Sequence, residues 1–310
     1  MVFWAKKQDD GGNAGDELRV AVVGGGPAGL ALAGILSREA KKGGQRFAVT
    51  VLERFERGAD QGEGWDIDNR GCGILKRAGL EVASIQHPGS DTWRTFRSDE
   101  GSKVKIALNN PRYLKKVGIN ILPQAHLETS RTGLVDGLVA SLEKNGVVLR
   151  FGVKVDGIEL VENGGVRLTS GRKVLDGEWD LVVDAGGVGS ALRKYRFEES
   201  ARAFYTGVTF VSGNAPSAEL DAELMRRVGK GTATVTGPNQ QGGTQELHLR
   251  TLEDGQTAIS VRVAAPEPNT LSDRFGFRGS SRDAKGLESA REFMQETLAA
   301  PEWAKSTRMR

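Results

Sequence analysis

Three glycines with fixed spacing, Gly24, Gly26 and Gly29, sit between an apolar run at residues 20–23 and an alanine- and leucine-rich stretch that follows. Gly24 permits a tight turn out of a strand, Gly26 lets backbone approach a ligand where a Cβ would intrude, and Gly29 lets the next helix lie close to the sheet. The N–H groups at residues 27–29, where that helix begins, have no intrahelical partners, so with the helix dipole they form an anion site around Pro27, Ala28 and Gly29. Pro27 loses nothing there, because its missing N–H would be an orphan in any case. A second apolar run, residues 47–52, closes on Glu53, whose carboxylate can accept the hydroxyl hydrogens of an adenosine ribose. The chemistry is therefore the gripping of a dinucleotide by its pyrophosphate and ribose.

These residues need a strand, a helix and a second strand in order, and residues 18–53 supply all three as a βαβ unit. A membrane span or secretory leader is excluded for this segment. Residues 21–36 are too short and too rich in glycine, and Asp16 and Glu17 precede them in place of a basic region.

A chain of 310 residues suits about two domains. The net charge of +3 and the lack of basic clusters interleaved with aromatics argue against a nucleic-acid partner. One cysteine, Cys72, cannot form an internal disulfide framework and fits a reducing, cytoplasmic setting. His87, His126 and His248 lack metal-ligand spacing, and no G-x-S-x-G elbow occurs, so neither a metal centre nor a serine triad is expected.

Residues 1–17 are polar and rich in glycine beyond the first few positions and are expected to be a disordered tail. Residues 54–80 form a long charged loop running into a short helix. Alternation in TWRTFRS and SKVKIAL about residues 99–101 predicts a hairpin. A helix is expected from Thr129 or Ser130 to a stop at Gly146, then a third parallel strand at 147–151, a small antiparallel meander over 153–174 and a buried strand at 180–187. Beyond residue 201 the alternation of QELHLR and TAISVRV predicts an antiparallel sheet with one buried face, followed by a last helix near residues 287–298.

Four segments together resemble the class A flavin monooxygenases of the p-hydroxybenzoate hydroxylase fold, with the tetracycline-inactivating flavin monooxygenases as the nearest subgroup. They are GGGPAGL at 24–30 with VLER at 51–54, IDNRG at 67–71, ETSRTGL at 128–134, and DLVVDAGGVGS at 180–190 ending in Arg193. The resemblance implies an FAD site holding Gly24, Gly26, Pro27, Ala28, Gly29, Glu53 and Arg54, with Asp68 beside the flavin (Asp66 competes for this role) and Arg131 reaching the cofactor. Arg131 is a planar, permanently charged donor for a pyrophosphate oxygen, although a cation is disfavoured at a helix N-terminus unless an anion lies nearby. Gly187 belongs to the second glycine motif, which the family usually writes G-A-D-G. Here Gly186 stands in the aspartate's place, and the motif is expected to lack its carboxylate.

The fold so implied is α/β: a Rossmann-like FAD-binding domain of the glutathione-reductase type, residues 18–88 and 119–200, with a second, mostly antiparallel β-sheet substrate domain, residues 89–118 and 201–300. The implied function is FAD-dependent hydroxylation of an aromatic or polycyclic small molecule using NAD(P)H and O2, with no side-chain nucleophile. The substrate would meet the sheet of residues 204–211, 245–250 and 257–263. The family's third motif, G-D-A-A-H, is not matched in residues 201–310, so the chain as it stands is expected to hold flavin weakly and to be weakly active. Two alternatives stay open: a non-catalytic dinucleotide-binding or interaction protein on the same scaffold, and an NAD-dependent dehydrogenase.

Overall fold

The computed structural model describes residues 2–5, 17–43, 46–59, 65–85, 93–97, 103–106, 127–162, 164–197, 204–220, 222–229, 232–238, 244–252 and 255–264. The chain divides into two compact units, residues 1–86 with 129–203 and residues 87–128 with 204–310. The expected turn at 99–101, the last helix near 287–298, and His87 and His126 lie outside the described residues.

The first unit is built on a five-stranded sheet. In chain order its elements are β1 (Val2–Ala5), β2 (Leu18–Val23), α1 (Pro27–Gly43), β3 (Phe47–Leu52), β4 (Trp65–Ile67) and α2 (Asn69–Arg77). After the excursion into the second unit, β7 (Leu127–Thr129) leads into α3 (Arg131–Lys144), β8 (Val148–Arg150), a meander of β9 (Gly157–Leu160), β10 (Val166–Ser170) and β11 (Lys173–Val174), then β12 (Leu181–Asp184) and α4 (Lys194–Phe197). The sheet order is β1-β12-β2-β3-β8. β12, β2, β3 and β8 run parallel, with Val183 opposite Val22 and Val22 opposite Val51.

Alternation decides which side chain goes where. Ala21, Val23, Leu52 and Val182 face the meander and form a cluster with Leu168, Trp179 and Leu192. Val20, Val22, Val51 and Val183, also buried, point to the opposite face. α1 packs on α3 and on β3; Leu30 of α1 and Leu134, Leu138 and Leu142 of α3 are buried. With both faces covered, the strands read as unbroken apolar runs. Arg19 ties the entrance of β2 to that of β12: its N–H, Nε and Nη2 donate to the Asp180 carboxylate at 2.9, 3.1 and 3.0 Å.

Residues 2–5 depart from the sequence expectation. They form β1, antiparallel to the outer edge of β12 with Val2 opposite Asp184 and Ala5 opposite Leu181. The four residues VFWA combine branched and aromatic side chains that suit a strand, and the polar run after them masked that signal. Residues 6–16 lie outside the described set.

The second unit contains β5 (Trp93–Arg97), β6 (Lys103–Ile106), β13 (Val208–Pro216), α5 (Ala222–Val228), β14 (Thr232–Pro238), β15 (Thr244–Thr251) and β16 (Gln256–Ala264). They form one sheet in the order β13-β16-β15-β14-β5-β6. β5 and β6 pair antiparallel, as the hairpin pattern predicts, and β14 and β5 form its one parallel junction. One face is apolar: Ala233, Val235, Leu249 and Ile259 pack with Leu220, Met225 and Val228, the last two from α5. The other carries a polar chain in which Arg262 donates to Glu246 at 3.1 Å and His248 Nδ1 lies 3.1 Å from the Thr234 hydroxyl. Register puts Arg262 opposite Glu246 and Gln245 opposite Val263.

Candidate dinucleotide-binding site

β2 and β12 are hydrogen-bonded neighbours, so the turns that follow them leave the sheet side by side. Gly24 adopts φ +116, and a Cβ built there would lie 2.4 Å from the Ala185 carbonyl oxygen. A Cβ on Gly29 would lie 2.0 Å from the Gly24 carbonyl oxygen and 3.2 Å from the Ala185 Cβ. Both glycines are therefore demanded by the protein's own packing. Gly26 differs: a Cβ there would meet nothing within 4 Å. Its lack of a side chain leaves open a space that the protein does not fill.

The first helical hydrogen bond of α1 is donated by the Leu30 N–H to the Gly26 carbonyl. The Ala28 and Gly29 N–H groups precede it and have no partner within the helix. Glu53 is buried at the end of β3, where its carboxylate accepts from the Gly25 N–H at 2.6 Å and the Phe55 N–H at 2.9 Å. One lone pair on each oxygen remains for a ribose hydroxyl. This carboxylate also fixes Gly25, whose Cβ would fall 2.8 Å from that of Glu53.

Arg131 opens α3, whose N-cap Ser130 accepts from the Gly133 N–H at 2.9 Å. Its guanidinium lies over the Trp65 ring, 5.1 Å from the centroid. Its Nε is buried with no hydrogen-bond partner among the described residues. An unpaired buried donor costs about 1–3 kcal/mol. A phosphate oxygen would remove that cost and would answer the objection to a cation at this helix end.

Gly24, Gly26, Glu53, Arg54, Arg131 and Gly187 line a single cavity of about 230 Å³. Pro27, Ala28 and Gly29 do not line it; they form the first turn of α1, with Ala28 exposed. Asp68 is not brought to the cavity. It is the exposed N-cap of α2, and its carboxylate accepts from the Gly71 N–H at 2.8 Å. Arg54 stacks on Phe55 at 4.7 Å. Cys72 is buried, its Sγ 3.8 Å from the Ile67 carbonyl oxygen. Among the described residues no group of His, Cys, Asp or Glu could hold a metal ion, and no helix is long and apolar enough to cross a membrane.

The second glycine turn carries what sequence reasoning missed. The expectation that it lacks a carboxylate is not met, because Asp184 is buried in the cavity wall at the end of β12. Its Oδ1 accepts from the Gly186 N–H at 2.9 Å and its Oδ2 from the Ser190 hydroxyl at 2.5 Å. Arg193 closes the turn by donating to the carbonyls of Gly187 and Val188. Trp65 was also missed, since the charged stretch around it reads as loop. Nothing in spacing alone signals the stacking on Arg131.

The residues present fit a dinucleotide: an open cradle at Gly26, a buried unpaired Nε at Arg131 and a buried acid with lone pairs to spare. A family model described as FAD binding domain matches residues 17–242. No curated protein matches the chain. Among solved structures, the fold is similar to CtdE in complex with FAD and a substrate, with TM-score 0.60 and 16% identity over 81% of this chain and 58% of that one. It is similar to the tetrameric form of 2-methyl-3-hydroxypyridine-5-carboxylic acid oxygenase, with TM-score 0.57 and 22% identity over 91% and 66%. It is also similar to Klebsiella pneumoniae HpxO complexed with FAD and uric acid, with TM-score 0.57 and 17% identity over 90% and 66%. The chain thus spans less than two thirds of the length of each.

Proposed function

The chain belongs to the FAD-binding domain family, its model matching residues 17–242, and from that premise we propose that it is an FAD-dependent monooxygenase that hydroxylates an aromatic or polycyclic small molecule with NAD(P)H and O2. The observation that carries the reading is the buried, unpartnered Nε of Arg131 on the wall of the cavity that also holds the Gly24–Gly26 turn and Glu53. Bound FAD supplies the redox chemistry and the activation of oxygen, which ordinary side chains cannot provide.

The chain's own residues bind and orient. Glu53 accepts from the adenosine ribose with the lone pairs its two amide donors leave free. The N-terminus of α1 and the guanidinium of Arg131, stacked on Trp65, would hold the pyrophosphate charge. In this reading the second unit's sheet, whose polar face carries Arg262, Glu246 and His248, serves the substrate. The similarity in fold to 2-methyl-3-hydroxypyridine-5-carboxylic acid oxygenase and to HpxO complexed with uric acid supports a small, polar ring as substrate.

The test is flavin absorbance per protein after purification, followed by NADH and NADPH consumption with and without aromatic hydroxy acids and purines, with product identified by mass. FAD bound by the wild type, much less by Arg131→Ala, and a product gaining one oxygen atom are the expected results. A chain that binds NAD but not FAD, and reduces it with a 2-hydroxy acid, would overturn the assignment.

A further inference from the structure

The glycine turn after β12 holds a carboxylate delivered from an unexpected position. In the sequence order Asp184-Ala185-Gly186-Gly187, acid and glycine have exchanged places relative to G-A-D-G. A Cβ at Gly186 would lie 3.1 Å from Asp184 Oδ1 and 3.2 Å from the Ser190 Cβ. The Asp184 carboxylate therefore occupies the space next to where a side chain at 186 would begin, reaching it from the strand beneath. Both its oxygens are engaged, by the Gly186 N–H and the Ser190 hydroxyl. The Ser190 oxygen in turn accepts from the Leu192 N–H at 3.1 Å, and Leu192 is anchored in the core. The chain of bonds runs from strand to turn to core without a gap.

Resting on the flavin-binding reading above, we propose that Asp184 is the positioning residue of the cavity's second wall. Its carboxylate clamps residues 186–190, keeping Gly187 at φ +70 and the turn aligned beside Gly24. Among the described residues Asp184 forms no ion pair with a lysine or arginine, so N–H and O–H donors alone hold it. Bonds to a charged acceptor contribute about 1.5–3 kcal/mol each, more than neutral ones. One such bond corresponds to roughly a tenfold to hundredfold change in how often the turn opens.

Two readouts on the full chain separate this proposal from the functional reading. In flavin-free protein, amide hydrogen exchange over residues 186–192 should quicken about tenfold or more in Asp184→Ala and in Ser190→Ala, and clearly less in Asp184→Asn, whose amide can replace both contacts without the charge. In FAD titrations followed by flavin fluorescence, the dissociation constant should rise by about the same factor in the alanine variants and clearly less in Asp184→Asn. Unchanged exchange in Ser190→Ala, which retains the acid, would overturn the clamp even if Asp184→Ala fails to fold. Faster exchange with unchanged FAD affinity would overturn the positioning role. If the wild type binds no FAD, the functional reading falls, while the exchange data still decide the clamp. The double variant Asp184→Gly/Gly186→Asp, which restores the usual order, should recover FAD affinity relative to Asp184→Ala; no recovery would show that the turn requires the acid for another reason.

Discussion

Three glycines in one turn answer to different masters. Gly24 and Gly29 are fixed by atoms of the protein, Gly26 by a space the protein leaves open. Gly24→Ala should therefore destabilise the flavin-free chain by about 1–3 kcal/mol in urea, since it forces a side chain into a positive-φ site against backbone. Gly26→Val should leave that urea midpoint near wild type and weaken FAD more than about tenfold, because a branched side chain would stand where the pyrophosphate approaches. Equal destabilisation by both would mean that Gly26 serves only the fold. The turn, Glu53 and the helix start at Arg131 were legible in the sequence because each is set by neighbours within a few positions. Asp184 was not: a motif written letter by letter registers the acid as missing at 186, while through space its carboxylate arrives from two residues upstream. Asp68, which the motif resemblance sets beside the flavin, has as its described contact a helix cap, its carboxylate accepting from the Gly71 N–H.

Among the elements, apolar periodicity exposed the βαβ unit, the parallel β8, the meander and the two-faced sheet of the second unit. What it could not expose was β1, four residues whose partner lies about 180 positions away. The meander offers a test of its own. Asp156 accepts from the Gly171 N–H at 2.7 Å and pairs with Lys154 at 3.4 Å, and the amide bond above all holds its carboxyl below the usual carboxylate range. A group with a depressed folded pKa contributes stability above its unfolded pKa and loses it as the pH falls through the folded value. Acidification below the ordinary aspartate range should thus loosen β10 and β11, measured as faster amide exchange at residues 170–174. Asp156→Asn should show the smaller acid response. Because this carboxylate is near the surface, salt should reduce the effect.

At the scale of the molecule, the first unit is assembled from two stretches of chain, residues 1–86 and 129–203. Residues 17–86 alone contain the dinucleotide fingerprint but only β2 and β3 of the five-stranded sheet, and they lack α3, which covers α1. Two strands and a partly covered helix bury too little apolar surface to outweigh chain entropy. That fragment should remain unfolded by circular dichroism and should not bind FAD, despite carrying the most recognisable motif in the chain. A folded, FAD-binding fragment would show that the later stretch is ornamental. The sequence separates motif from fold poorly here: the glycines name the ligand, and strands more than a hundred residues downstream make the grip possible.

The register that sets Asp184 opposite Val23 also fixes when the molecule becomes competent during its synthesis. The two walls of the cavity are contributed by residues about 160 apart, and loop closure of that length comes late in folding. A growing chain on the ribosome would display the first glycine turn early and remain unable to capture coenzyme until Ser190 had emerged and β12 had slid in beside β2. Cofactor capture would then report the completion of the first unit.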